Sequence, residues 1–300
     1  MCIRDRVNIL ELDLKKPLVN LTTDIVFSQY TRGYANVCLK MDMLKPQSEK
    51  PLPALVFIPG GGFVSSNKDA YIQQKLKIAE SGYIVVSIEY RTVPDGIFPE
   101  PLQDVKSAVR YLRAHAEKFN IDKENIAVMG NSAGGYLAAL MGVTNGLKEF
   151  DKGDNLNEKS DIKATVDIYG LSDLTSIGHG FSEIIQKVHK SSAAPEALWV
   201  HGMPIRTKQL GLGINDDLEK ANRANPINYI SKNSTPFLLM HGDKDSLVSS
   251  YQTKILHEAL LKEGIESTRY IVKEAEHGGI YWVQTEITDM IIEFLNKHLK

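Results

Sequence analysis

The chain has 300 residues, 43% hydrophobic and 24% charged, with a formal net charge of −2, which describes an ordinary globular protein large enough for one α/β domain. That near-neutral charge gives no reason to expect nucleic acid or an anionic membrane as partner, and no apolar run of about 18 residues exists to span a bilayer. Two cysteines, Cys2 and Cys38, make no disulfide framework, and eight scattered histidines without His-x-His or His-Glu-x-x-His spacing make no metal site, so neither metal nor organic cofactor is expected.

The first six residues, Met1-Cys2-Ile3-Arg4-Asp5-Arg6, read as a translated sequencing-library adapter of the kind found in assembled metagenomes, and are set aside from the fold. A native leader lost at that junction would leave no trace, so cytoplasmic and secreted locations both stay open. Asp24–Gln29 and Ala35–Met43 read as two β segments forming an antiparallel start. Ala54–Ile58 is a short apolar strand running into Pro59-Gly60-Gly61-Gly62-Phe63. Ala70–Ser81 has helical spacing, and Tyr83–Tyr90 is a β-branched, buried strand. Pro101–Lys118 is one amphipathic helix with Leu102, Val105, Val109, Leu112 and Ala116 on one face. Ile126–Met129 is a strand, Ala133–Val143 a small-residue helix, and Ala164–Tyr169 the next strand. Residues 173–229 are too many for a structureless loop; Phe181–Lys190 and Pro195–Val200 are helix-like, and His179, His189, Trp199, His201 and Met203 cluster there. Two roles are open to this insertion: a cap that contacts substrate, or a cover for the sheet edge. Phe237–Met240, the helix Tyr251–Glu263, Ser267–Val272 and the helix Val283–Leu299 complete the chain. This alternation predicts right-handed crossovers in a mostly parallel sheet of about eight strands, with helices on both faces and a small helical insertion after the sixth strand. The predicted unit is one domain over residues 7–300.

Chemistry concentrates at Gly130-Asn131-Ser132-Ala133-Gly134-Gly135. A Gly-x-Ser-x-Gly turn between strand and helix lifts a serine clear of the backbone, and the helix N-terminus beneath it favours developing negative charge. A serine nucleophile needs a base, and the base an orienting acid, both on loops at strand carboxyl ends. His277, in Glu276-His277-Gly278-Gly279 after the last strand, fits the base better than His241, which reads as a packed core residue. Asp245, five residues past Met240, can reach an imidazole; Asp243, directly at the strand end, is better suited to bracing the turn. The triple glycine bares amides that can hold an oxyanion: Gly61 and Gly62, together with Ala133 after the serine. No Lys-Ser/Thr follows at the spacing a phosphate loop requires. Phe63 beside the glycines, Asn131 beside the serine and Trp199 in the insertion are the candidate substrate contacts.

These motifs, with Tyr90-Arg91, Pro99, Asp104, His241-Gly242-Asp243-Lys244-Asp245 and His277-Gly278-Gly279, resemble the hormone-sensitive-lipase-type α/β-hydrolases from about residue 50 onward. The closest resemblance is to the small carbohydrate esterases described as bifunctional feruloyl and acetyl-xylan esterases. It implies an α/β-hydrolase fold, Ser132, His277 and Asp245 as nucleophile, base and acid, Gly61, Gly62 and Ala133 as oxyanion donors, and a small-molecule or oligosaccharide ester as substrate. Three positions depart from the family pattern: Pro59 where His is usual, Asn131 where Asp or Glu is usual, and Ser249 where Pro is usual. The alternatives are a related amide hydrolase (formamidase or peptidase), a general short-chain lipase or esterase, and a non-catalytic ligand receptor; retention of all three triad residue types disfavours the last.

Overall fold

The computed structural model describes residues 8–208 and 210–300, so the adapter-like residues 1–6 lie outside the described chain. Among the described residues eight strands form one sheet, in the order β1-β2-β4-β3-β5-β6-β7-β8. The first two, β1 (Val19–Arg32) and β2 (Ala35–Pro46), are antiparallel and joined through Gly33 at φ 61°, the positive φ a two-residue hairpin turn demands. β2 pairs antiparallel with β4 (Ile84–Ile88). From there the sheet is parallel through β3 (Leu52–Ile58), β5 (Ile121–Asn131), β6 (Thr165–Ile168), β7 (Phe237–Gly242) and β8 (Ser267–Val272).

The pleat sorts the apolar side chains of each strand between two cores. On β3, Ala54, Val56 and Ile58 face one cluster with Leu102, Val105, Val109 and Leu137, while Leu55 and Phe57 face the other. The first cluster lies under α2 (Glu100–Ala114) and α4 (Ala133–Val143). The second lies under α1 (Ile72–Glu80) and α10 (Thr285–Leu299), through Ile78, Trp282, Ile291 and Leu295. α9 (Tyr251–Lys262) extends the α4 side through Leu256 and Leu260 against Phe237 and Leu239. Fully burying each such Leu, Ile or Phe contributes roughly 1.5–3 kcal/mol. Every residue of α4 is buried, and its small residues permit close packing: a Cβ at Gly142 would overlap Thr165 and Phe237 on the sheet.

The helix expected over Pro101–Lys118 breaks at His115, giving α2 and the short α3 (Ala116–Phe119). There His115 Nδ1 lies 2.9 Å from the Tyr111 carbonyl and its ring stacks on Tyr111 at 4.1 Å, a local contact that competes with helical continuation. β1 is longer than the apolar run indicated because the residues added at its ends are mostly exposed, and β5 is longer because Ile121 pairs with Leu52 ahead of an irregular stretch at residues 122–125.

Between β6 and β7 the chain forms α5 (Glu183–His189), α6 (Pro195–His201), α7 (Pro204–Thr207) and α8 (Leu218–Arg223). The two ends of this segment are pinned together. Asn225 Oδ1 accepts the Leu174 amide at 2.9 Å and its Nδ2 donates to Asp173 at 3.0 Å, while Gln252 accepts the amides of Ser172 and Asp173 at 2.9 Å.

Strand order reverses direction between β3 and β5: β3 leads outward to β4 and β5 leads the other way. Loops leaving the carboxyl ends of two such neighbours diverge and open a crevice, the usual ligand position in a doubly wound sheet. The loop after β3 is the triple glycine, and the loop after β5 carries Ser132.

Candidate active site

The register of β3 and β5 aligns Ile58 with Gly130, so the two loops start side by side. Ser132 sits at φ 54°, ψ −123°, a conformation rare for a side-chain-bearing residue. Hydrogen bonds on both sides hold it there: its amide donates to the Ile168 carbonyl, and its carbonyl accepts the Tyr136 amide, each at 2.9 Å. The turn closes because Gly130 and Gly134 lack side chains. A Cβ at Gly130 would overlap the Gly134 carbonyl, and one at Gly134 would overlap the Ile58 carbonyl.

The structure brings Ser132, His277 and Asp245 into one hydrogen-bonded line. His277 Nε2 lies 2.8 Å from Ser132 Oγ, and His277 Nδ1 lies 2.6 Å from Asp245 Oδ2. The Asp245 side chain is fully buried. Burial works to raise its carboxyl, but hydrogen bonds from His241, His277 and the Val248 amide outweigh it, holding Asp245 well below the usual carboxylate range. Its Oδ1 accepts the Leu247 and Val248 amides at 2.9 Å each. An ionised Asp245 can only accept, so Nδ1 of His277 carries the hydrogen and Nε2 presents its lone pair to the serine hydroxyl. His241 lies in the core with Nε2 3.0 Å from the Val248 carbonyl and 3.2 Å from Asp245 Oδ2, bracing the acid from behind. Asp243 accepts the Glu274 amide at 2.6 Å and braces the turn between the acid and base loops.

The glycine loop is anchored on three sides. Tyr90 Oη donates to the Pro59 carbonyl at 2.7 Å, Gly60 N–H donates to Asn131 Oδ1 at 3.1 Å, and Val93 N–H donates to the Phe63 carbonyl at 2.9 Å. Gly61 (φ 151°) and Gly62 (φ 58°) occupy backbone conformations that side chains resist. Among the described residues nothing accepts a hydrogen bond from the amides of Gly61, Gly62 or Ala133, and all three residues line the same cavity as Ser132 and His277.

That cavity has a volume of about 710 Å³. Phe63 and Asn131 are on its wall; Trp199 is not. The expectation that Trp199 contacts substrate is corrected. Trp199 is fully buried, packs on Phe63 at 4.5 Å and on Tyr136 at 6.1 Å, and backs the wall rather than forming it. Its spacing with Ala194, Ala197 and Val200, all buried, is a core pattern that sequence reading passed over in favour of an indole in an insertion.

Sequence reasoning did not assign roles to Tyr71 and Tyr169, which face the cavity with hydroxyls 2.6 Å apart. Asn131 Nδ2 donates to Tyr169 at 3.2 Å, so hydrogen bonds run from Tyr71 through Tyr169 and Asn131 to the glycine loop. Tyr169 stands directly after β6, and the strand-end rule used for the acid and base would have found it. The far wall comes from the 173–229 segment, including Ile177, Ile185, Val188, His189 and Glu196. Ser249, standing where the family resemblance leads one to expect proline, donates its amide to the Ile177 carbonyl at 3.3 Å, a bond proline could not make. Among the described residues no group of three or more His, Cys, Asp or Glu is placed to hold a metal ion, and no helix is long and apolar enough to cross a membrane.

Chemically, the arrangement joins a hydroxyl, a base with a free lone pair, a buried anion behind that base, and converging amides. These are the parts that acyl transfer requires.

Comparison with known proteins gives a consistent picture. A family model described as BD-FAE matches residues 41–260. Esterase LipC of Mycobacterium tuberculosis is 31% identical over 242 residues, covering 78% of this chain and 55% of that protein. The probable carboxylic ester hydrolase LipM of the same organism is 29% identical over 205 residues, covering 67% of this chain and 43% of that protein. The chain thus spans about half the length of the curated relatives it matches. Among solved structures, a truncated carbohydrate esterase from gut microbiota superposes with a TM-score of 0.79 at 25% identity, covering 94% of this chain and 97% of that one. A bifunctional GH43-CE protein of Bacteroides eggerthii superposes with a TM-score of 0.79 at 28% identity, covering 93% of this chain and 35% of that one.

Proposed function

The chain belongs to the BD-FAE family, within the hormone-sensitive-lipase-like α/β-hydrolases, and on that premise we propose that it is a serine carboxylesterase. The observation that carries this reading is the line from Ser132 Oγ through His277, at 2.8 and 2.6 Å, to the buried carboxylate of Asp245. His277 Nε2 takes the hydroxyl proton as Ser132 Oγ attacks the ester carbonyl carbon. The carbonyl oxygen becomes an oxyanion held by the amides of Gly61, Gly62 and Ala133. Each such donor typically accounts for ~10²–10³ in turnover. The C–O bond to the alcohol breaks as His277 returns the proton to the leaving oxygen. Water, deprotonated by His277, then attacks the acyl-enzyme and frees the acid and Ser132. Asp245 fixes the imidazole tautomer and stabilises its cation throughout.

In this reading residues 7–300 act as one catalytic unit and 173–229 serve as its cap. The substrate is a short-chain or aryl ester, with acetyl or feruloyl groups on xylan as the preferred class. Two observations support that choice: the likeness to a carbohydrate esterase over nearly the whole chain, and a cavity whose wall includes Phe63, Tyr71, Tyr169, Leu171, Ile177 and Ile185. A fluorophosphonate probe is expected to label Ser132 once per chain, and p-nitrophenyl acetate to be hydrolysed. A chain that is neither labelled nor active ends the proposal. Release of acetate from acetylated xylan and of ferulate from feruloyl esters, ranked against p-nitrophenyl esters of increasing length, tests the substrate class.

A further inference from the structure

The cavity holds a second carboxylate–imidazole pair. His189, at the end of α5, places Nδ1 2.7 Å from Glu196 Oε1 in the first turn of α6. Glu196 is only 4% exposed, and among the described residues no lysine or arginine comes within ion-pair distance of it. Burying that carboxylate in a wall otherwise made of Ile177, Ile185, Val188, Ala194 and Pro195 is costly, and an apolar residue there would be the more stabilising choice. The pair does fix the ring. With Nδ1 turned to Glu196, Nε2 is left without a hydrogen-bond partner among the described residues. His189 also borders a second, smaller cavity of about 170 Å³, whose wall includes Thr175, Ser176, His179, Gln186 and Lys190. His189 and Ile177 are common to both cavities. The imidazole therefore stands where an apolar chamber meets a polar one.

We propose that His189, oriented by Glu196, is a specificity-determining residue that hydrogen-bonds a hydroxyl group on the non-reacting part of the ester. This rests on the esterase reading and deepens it: the preferred substrate carries an apolar portion in the large chamber and a hydroxyl at the His189 boundary. Two sources can supply that hydroxyl, a phenolic acyl group or a sugar alcohol, and paired substrates separate them. Methyl 4-hydroxycinnamate against methyl cinnamate tests the acyl side. An acetylated xyloside against tetrahydropyranyl acetate tests the alcohol side. In each pair the readout is the ratio of kcat/KM for the hydroxylated ester over its partner.

The wild-type enzyme is expected to favour the hydroxylated member of one pair by about tenfold or more. His189→Leu is expected to remove that preference in the same pair, and His189→Gln, which keeps a polar end, to restore part of it. A role limited to joining α5 to α6 would change both members of a pair alike and leave the ratio fixed. The proposal is overturned by an unchanged ratio in His189→Leu, or by a wild-type enzyme indifferent to the hydroxyl in both pairs. Failure of the esterase reading is a separate outcome: a wild-type chain inert on p-nitrophenyl acetate overturns that reading and this inference with it.

Discussion

The floor of the cavity and its roof are built on different principles. The floor is made of strand ends: Ser132, the glycine loop and Asp245 are each held by backbone hydrogen bonds and crowded by neighbours that leave no space for an added Cβ at Gly130 or Gly134. The roof is an insertion whose first helix, α5, contains no buried residue and whose Ile184 and Val188 are exposed. The proposed mechanism puts the chemistry that fails if an atom moves by an ångström on the floor. Selection among substrates, which tolerates more variation, is assigned by the same proposal to the roof. The contrast is not uniform, since α6 is anchored by Trp199 while α5 is not.

Four variants, the last of them double, probe this contrast, from the largest effect to the smallest. Ser132→Ala removes the proposed nucleophile and should lower kcat on p-nitrophenyl acetate by at least ~10⁴-fold, roughly 5 kcal/mol, with the thermal transition intact. Near-normal turnover would mean that the floor does not do the chemistry. Trp199→Ala opens a cavity behind Phe63 and should cost ~3–5 kcal/mol in chemical denaturation. A change below ~1 kcal/mol would show α6 to be as loose as α5.

The third concerns a group in the floor that opposes stability. Asp167 is fully buried; burial pushes its carboxyl up to about 7 against the partial relief of the Gly170 amide, and among the described residues its Oδ2 has no partner. An acid raised in the fold keeps its proton after the unfolded chain has lost its own near pH ~3.9, so this group lowers stability as pH rises from about 4 to about 7, with no further loss above. Asp167→Asn should therefore stabilise by on the order of 2–4 kcal/mol at pH 8 and by little below pH 4. Denaturant midpoints across that range check it, and a pH-independent difference would refute it. Last, Ile185→Ala with Val188→Ala should shift preference among p-nitrophenyl acetate, butyrate and hexanoate by roughly tenfold, about 1.4 kcal/mol, while stability changes by about 0.5 kcal/mol or less. If stability fell by several kcal/mol instead, the roof would be as tightly built as the floor.

The difference between the regions also explains what the amino-acid sequence disclosed. Floor elements announce themselves because a buried parallel strand must be an apolar run and a sharp turn must use glycine; the strands at 54–58 and 126–129 and the turn at 130–134 follow from those requirements. Strand extensions such as Val19–Thr22, held by pairing with β2, and Ile121–Asn125, which pairs with β3 only at Ile121, do not appear in hydrophobic periodicity. In the roof, α7 and α8 are only four and six residues long, too short for a periodic signal. The Trp199 error has the same origin: side-chain direction in a short helix depends on packing partners distant in the chain. His189 and Glu196 are seven residues apart on different helices, and nothing in their spacing predicts a 2.7 Å contact.

The amide that Ser249 lends to Ile177 ties the roof to the loop that carries Asp245. Inserting proline at 249 would delete that donor, and any transplant of the 173–229 segment from a relative carrying proline there would arrive without the matching half of the joint. Chimaeras made in this scaffold should therefore exchange the segment and residues 246–249 as one cassette.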